Sequence, residues 1–244
     1  MPEPLTRARI VAAAIDLIER EGADAISMRR IAADLGAGVM SLYNHVPNKA
    51  ALLDAVAESV YSRIEFTDDP TAEWTERVRA QARAFRQIAH HYPRSTMVVI
   101  SRQLRSPAGI LPVEHALVTL REAGFGGEDA VRLLRTFIAY IIGSLLREVG
   151  VTPTFAPAQG QDKTPVADPA LFPEVGRLAP LLGSCDHEDS FEFGLDMLIR
   201  AAADRLQEVR AAARDAEAEE RSAEEEARSG GEAAGAARKG SARG

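Results

Sequence analysis

Residues 27–49 read SMRRIAADLGAGVMSLYNHVPNK. In the first part Ile31 and Leu35 stand four apart and share one helical face, and Ser27 has the side chain of an N-cap. Gly36-Ala37-Gly38 then breaks the pattern, because glycine suits a sharp turn that needs positive φ. A second helix of little more than one turn, 39–45, follows. Leu42 and Val46 can face inward with Ile31 and Leu35, which turns Val39, Met40, Ser41, Tyr43, Asn44 and His45 largely outward. A short helix that shows Met, Tyr, Asn and His to solvent gains little from burial. It fits better as the second helix of a helix-turn-helix, presented to the major groove of DNA.

Working upstream, 5–21 forms a helix with an apolar stripe of Ile10, Ala14, Leu17 and Ile18, capped by Thr6 and stopped by Gly22. It backs the helix-turn-helix. Downstream, Asn48 caps a helix after Pro47 whose stripe is Leu52, Leu53, Val56, Val60 and Ile64. Residues 1–49 thus form a DNA-binding head, 50–66 a linking helix, and the polar turn FTDDP at 66–70 marks the boundary with a body over 71–226. The expected fold is all-α, an N-terminal three-helix head on a larger helical body.

The motif resembles the TetR (tetracycline-repressor) family of bacterial regulators. The likeness rests on SMRRIAADLG, on the run Leu42-Tyr43-x-His45-Val46-x-Asn48-Lys49, and on Leu52-Leu53. It implies a sequence-specific transcriptional regulator, most simply a repressor released from its operator by a small molecule. It also implies that Arg29 contacts DNA and that Tyr43 and His45 hold the backbone. On chemistry alone, the Arg29 guanidinium can grip a guanine edge or a phosphate, or pair with Asp34. Val39, Met40 and Ser41 open the recognition helix, where Val and Met can pack on thymine methyls. Asn44 is a base-contact candidate, and Lys49 at a helix N-terminus suits a phosphate.

Composition bounds these readings. With 46% hydrophobic and 27% charged residues among 244, the chain has the makeup of a soluble globular protein. Its net charge is −7, so bulk charge does not point to nucleic acid. Even the head is balanced: Arg7, Arg9, Arg20, Arg29, Arg30 and Lys49 face Glu3, Asp16, Glu19, Glu21, Asp24 and Asp34. DNA binding then requires the cations to be placed away from the acids. Cys185 is the single cysteine, so no intrachain disulfide forms. No long apolar run or signal-peptide pattern is present, and a cytoplasmic protein without a membrane partner is expected.

In the body, helices are expected at 71–91, 95–104, from Ser106-Pro107 to 123, and at 128–149, the last too apolar all round for one stripe. Residues 150–170 read as a mobile loop, a possible lid, followed by a short helix over 172–182. From His187, a stripe of Phe191, Leu195, Leu198, Ala202, Leu206 and Val209 suggests a seam. The 128–149 and 187–209 helices would meet a second subunit, giving a homodimer on a two-fold symmetric duplex operator. Beyond 209 the chain is helix-forming without an apolar face, and 229–244 is expected to be a disordered tail.

The resemblance also implies a small-molecule effector in the body. Gln81, Phe85, Arg105, Phe137 and Tyr140 are the pocket candidates, with Glu148 a possible acid for Arg105. Where tetracycline repressors carry a metal-binding histidine this chain has Ser101, so no metal and no cofactor is expected. The clusters His90-His91, Glu114-His115 and Cys185-Asp186-His187-Glu188 lack metal-ligand spacing, and no catalytic residue is expected. The acidic total disfavours a nonspecific architectural binder. A regulator that answers a protein partner, or no ligand, stays open.

Overall fold

The computed structural model describes residues 4–66, 69–102, 106–148, 170–182 and 186–240. Arg105, Cys185, the segment 150–169 and the last four residues lie outside them. The described residues are helical and contain no strand. The chain packs as two compact units, Met1–Met197 and Leu198–Gly244.

Local sequence signals set the head. Helix α1, Arg7–Glu21, starts where the Thr6 hydroxyl accepts from the Arg9 N–H at 3.2 Å, and stops at Gly22, whose φ is +93°. It buries the expected stripe together with Val11 and Ile15. A 3-10 turn, Ala23–Ala25, leads to α2, Met28–Asp34, where the Ser27 hydroxyl accepts from the Arg30 N–H at 3.2 Å. Gly36, with φ +60°, closes α2. The Ala37 N–H donates to the Ala32 carbonyl at 2.9 Å and the Gly36 N–H to the Ala33 carbonyl at 3.1 Å, a Schellman ending that an L side chain would strain.

Helix α3, Val39–Tyr43, is shorter than the expected 39–45. Its last turn tightens because the His45 and Val46 N–H groups both donate to Leu42, and Pro47 keeps Val46 from continuing in helical geometry. Helix α4, Lys49–Tyr61, begins with the Asn48 side chain accepting from the Ala51 N–H at 2.8 Å.

The body comprises α5 (Trp74–His91), α6 (Pro93–Ile100), α7 (Pro107–Ala123), α8 (Gly127–Glu148), α9 (Pro173–Leu182) and α10 (His187–Gly240). Helix α5 starts later than residue 71 because the Asp69 carboxylate holds Thr71 through its N–H (2.9 Å) and hydroxyl (2.6 Å), fixing a turn. Helix α6 starts earlier than residue 95, since Pro93 is pre-shaped for a first helical position. Ser106 stands at the α7 N-cap but makes no capping bond; the Pro107 at the first helical position sets that start instead. Helix α10 runs to Gly240. Residues 211–228 are rich in Ala, Glu and Arg, which propagate a helix without burial.

Helix α5 meets the first turns of α10 through a ladder of ion pairs. Arg83 binds Glu192 with two bonds of 2.8 Å, Arg79 pairs with Asp196, and Arg86 pairs with Glu188 and Glu148. The spacing 79, 83, 86 against 196, 192, 188 is what two antiparallel helices require. Glu148 also sits 3.0 Å from His90 Nε2 and is only 4% exposed, so it is engaged by α5 and is not reserved for Arg105.

The expected dimer seam is corrected in part. Phe191 and Leu195 are fully buried within one chain, so these two positions of the stripe serve the subunit's own core. The outward apolar side chains of α10 are Phe193 (70% exposed) and Met197 (57%), on the opposite face. Helices α8 and α10 approach closely at Gly194, where an added Cβ would lie 2.4 Å from the Tyr140 hydroxyl.

Candidate nucleic-acid interface and apolar cavity

Helix α3 is anchored chiefly by Leu42, with Val39 packed at the edge of the same cluster. Leu42 is fully buried and Val46, just after the helix, is 1% exposed. Burying Leu42 contributes about 1.5–3 kcal/mol and fixes the rotation of the helix. The rest of α3 faces out: Met40 is 75% exposed, Tyr43 41%, and Ser41, Asn44, His45 and Lys49 are exposed, with Val39 half-buried. From Leu35 to Leu53 the chain carries no acidic residue.

Three of the head's acids, Glu19, Glu21 and Asp34, are already engaged. Arg30 takes Glu21 at 2.7 Å and reaches Asp34 at 3.6 Å, and Arg20 also meets Asp34 at 3.4 Å. Glu19 turns toward the body. Arg29 is exposed and has no ion pair or hydrogen bond among the described residues. The alternative pairing of Arg29 with Asp34 is therefore not adopted. A head of zero net charge thus leaves Arg29 exposed on α2 and Lys49 exposed within a stretch that carries no acid, which suits a polyanion.

Two elements join this surface to the body. The Glu19 carboxylate, from α1, accepts from the Ser95 N–H at 2.7 Å and the Arg94 N–H at 3.3 Å, so it caps α6; Arg94 donates back to the Arg20 carbonyl at 2.6 Å. Past the other end of α6, Arg102 pairs with Asp54 on α4. Between them Val98 and Val99 belong to the same apolar cluster as Ile10, Leu17, Ile31, Leu42 and Leu52. Helix α4 carries Lys49 at its first position and Tyr61 at its last, about 18 Å apart at 1.5 Å per residue.

Tyr61 lines an apolar cavity of about 140 Å³. Val78, Gln81, Ala82 and Phe85 from α5 and Gly109, Pro112, Val113, Ala116 and Leu120 from α7 form two of its walls. Leu134, Phe137, Ile138, Ile141 and Ile142 from α8 form another. The Tyr61 and Phe85 rings lie 5.9 Å apart, and burial raises the Tyr61 pKa, so the phenol stays uncharged. The Gln81 Nε2 donates to the Thr119 hydroxyl at 3.1 Å, which itself donates to the His115 carbonyl at 2.9 Å.

Of the five pocket candidates, Gln81, Phe85 and Phe137 stand on this wall. Tyr140 does not: its hydroxyl donates to the Phe191 carbonyl at 2.7 Å and ties α8 to α10. Arg105 lies outside the described residues. The α7 residues, Tyr61 and the other α8 residues went unforeseen. Their signal is the surplus of apolar positions on α8, whose side toward the subunit's own core faces this cavity. Ser101 donates to the Val98 carbonyl at 2.9 Å. Among the described residues no group of His, Cys, Asp or Glu is arranged to hold a metal, and no helix is long and apolar enough to cross a membrane.

Comparison with known proteins places both regions. Residues 10–56 match the family described as bacterial regulatory proteins, tetR family, and residues 66–203 match the tetracyclin repressor-like C-terminal domain. The HTH-type transcriptional repressor DrrR1 of Streptomyces coeruleorubidus is 33% identical over 145 residues, 59% of this chain and 54% of its own length. A second regulator, from Saccharopolyspora erythraea, is covered over 61% of its length, so the chain spans little more than half of these two relatives. The tetracycline repressor protein class A from transposon 1721 of Escherichia coli is 29% identical over 82% of this chain and 92% of its own. Among solved structures, ActR of Streptomyces coelicolor in complex with actinorhodin superposes with a TM-score of 0.72 at 29% identity, over 84% of this chain and 99% of that one. With a head and a body each matched over most of its length, the chain belongs to the tetR family of bacterial regulatory proteins.

Proposed function

We propose that this chain is a transcriptional repressor of the cytoplasm that binds a two-fold symmetric duplex operator as a homodimer and leaves it when a small molecule fills the body cavity. The observation that carries the reading is α3: a helix held by Leu42 and the half-buried Val39, with Met40, Ser41, Tyr43 and Asn44 in solvent and no acid in the sequence from Leu35 to Leu53. Met40 and Val39 pack on thymine methyls, and Arg29 and Asn44 read base edges. Tyr43, His45 and Lys49 hold phosphates and so set register.

One such head covers too little surface for tight specific binding, and a pair supplies the rest. The exposed Phe193 and Met197 of α10, with Val131 and Ile138 of α8, are the apolar positions that a second copy would cover. Release follows from the helices that touch both ends. A ligand against Tyr61 and Phe85 presses on α4, and α6 is bound to the head through Glu19 and Asp54. The ligand shifts the equilibrium only by its preference for one head spacing. The relatives are regulators, and the cavity wall offers binding without a catalytic group.

The test is footprinting of the purified protein on its own upstream region at fixed salt, with and without extracts that supply small molecules. Two protected half-sites about one or more helical turns apart, lost on adding ligand, are expected. Equal affinity for random DNA would overturn the reading.

A further inference from the structure

The cavity wall also says what chemistry it accepts, an inference that rests on the ligand-gated reading above. Among the described residues only Tyr61 and Gln81 bring polar side chains to the wall, and none brings a charge. A charged ligand would be stripped of water here without a partner, which apolar surroundings penalise heavily. Gln81 is the one polar group whose orientation is dictated. Thr119 is fully buried, and its hydroxyl proton goes to the His115 carbonyl. The Thr119 oxygen can then only accept, so Gln81 must offer it the amide nitrogen. The Gln81 carbonyl oxygen has no partner among the described residues and is left as an acceptor at the wall.

We propose that the cavity takes an uncharged, predominantly apolar molecule carrying a hydroxyl that donates to Gln81 Oε1, and that the Thr119–His115 relay sets this preference for a donor. A methyl ether on the same skeleton brings an acceptor against an acceptor, and a carboxylate brings a charge into an apolar chamber.

Isothermal titration of the full chain with 2-naphthol, 2-methoxynaphthalene and 2-naphthoate tests this. The alcohol binds about tenfold tighter than the ether, the size of one well-formed hydrogen bond, and the carboxylate does not bind. Gln81→Leu brings alcohol and ether within about twofold of each other. Thr119→Val frees the amide to turn its nitrogen outward, and the ether gains affinity while the alcohol does not. The inference is overturned if the carboxylate competes, if no naphthyl probe binds at millimolar concentration, or if both variants keep the preference for the alcohol. The same probes are added to the operator complex. Selective binding without release would leave the cavity chemistry standing and sink ligand gating; release by a ligand indifferent to Gln81 would do the reverse.

Discussion

Gly194→Ala puts two familiar effects in opposition. In a helix interior alanine is normally favoured over glycine by about 1 kcal/mol, because glycine loses more backbone freedom on folding. At residue 194 the new methyl would lie 2.4 Å from the Tyr140 hydroxyl oxygen, 2.6 Å from Cε2 and 2.7 Å from Cζ. Non-bonded carbon contacts sit near 3.5–4.0 Å, so the ring must move by about 1 Å or more. Overpacking of this kind costs about 1–3 kcal/mol. Moving the ring also breaks the hydroxyl's 2.7 Å bond to the Phe191 carbonyl and disturbs its packing on the Phe191 ring at 5.9 Å. A hydrogen bond adds about 1 kcal/mol to the loss. The clash wins, and the expected net destabilisation is about 1–3 kcal/mol, a fall in Tm on the order of 5 °C for a chain of this size. Thermal unfolding followed by circular dichroism measures it. In a Tyr140→Phe background the loss persists, because Cε2 and Cζ remain; in a Tyr140→Ala background it disappears or reverses. An unchanged or raised Tm for Gly194→Ala in the native background would refute the close crossing of α8 and α10.

Other expectations follow from the same geometry. Glu19→Gln keeps the shape of the α6 cap but removes its charge; urea unfolding should show a loss of about 1 kcal/mol, and an unaltered midpoint would argue against the cap. The Arg83 hydrogen bond lowers the Glu192 pKa below the ordinary carboxylate range. That stabilisation is fully present above about pH 4.3, the unfolded value, and fades as pH falls through the folded one. Arg83 is half exposed, so the pair contributes no more than about 1 kcal/mol. Arg83→Ala should lower stability at neutral pH and leave it unchanged at pH 2, a difference that a pH series of melts would reveal. Phe193→Asp combined with Met197→Asp should shift sedimentation from dimer to monomer without unfolding the chain, whereas a persisting dimer would place the interface elsewhere.

Much of the head was legible because its signals are local. Thr6, Ser27 and Asn48 cap, Gly22 and Gly36 stop, and the spacing of Ile31, Leu35, Leu42 and Val46 fixes which side of α3 faces out. What stayed hidden depends on partners distant in sequence. Glu19 reads as one more surface acid until α6 arrives above it, 76 residues on. The 191–206 stripe is real, yet periodicity shows only that one face is apolar, not whether the covering surface belongs to the same chain. Tyr140 and Phe137 lie within one turn of α8, and only the crossing of α10 decides that the first is a tie and the second a wall. Ser106 has the side chain of a cap and does not act as one.

Fluorescence anisotropy on a labelled fragment of the upstream region tests whether α3, with Arg29 and Lys49, meets a duplex. Arg29 is exposed and has no partner among the described residues, so Arg29→Ala should leave the melting curve within about 0.5 kcal/mol of the parent. It should weaken operator binding by about 1–3 kcal/mol and, where Arg29 meets phosphate, flatten the salt dependence. Met40→Ala should weaken binding to the operator but not to random DNA. If both variants bind the operator as tightly as the parent, with the same salt slope, the duplex is held by another surface and the central claim fails.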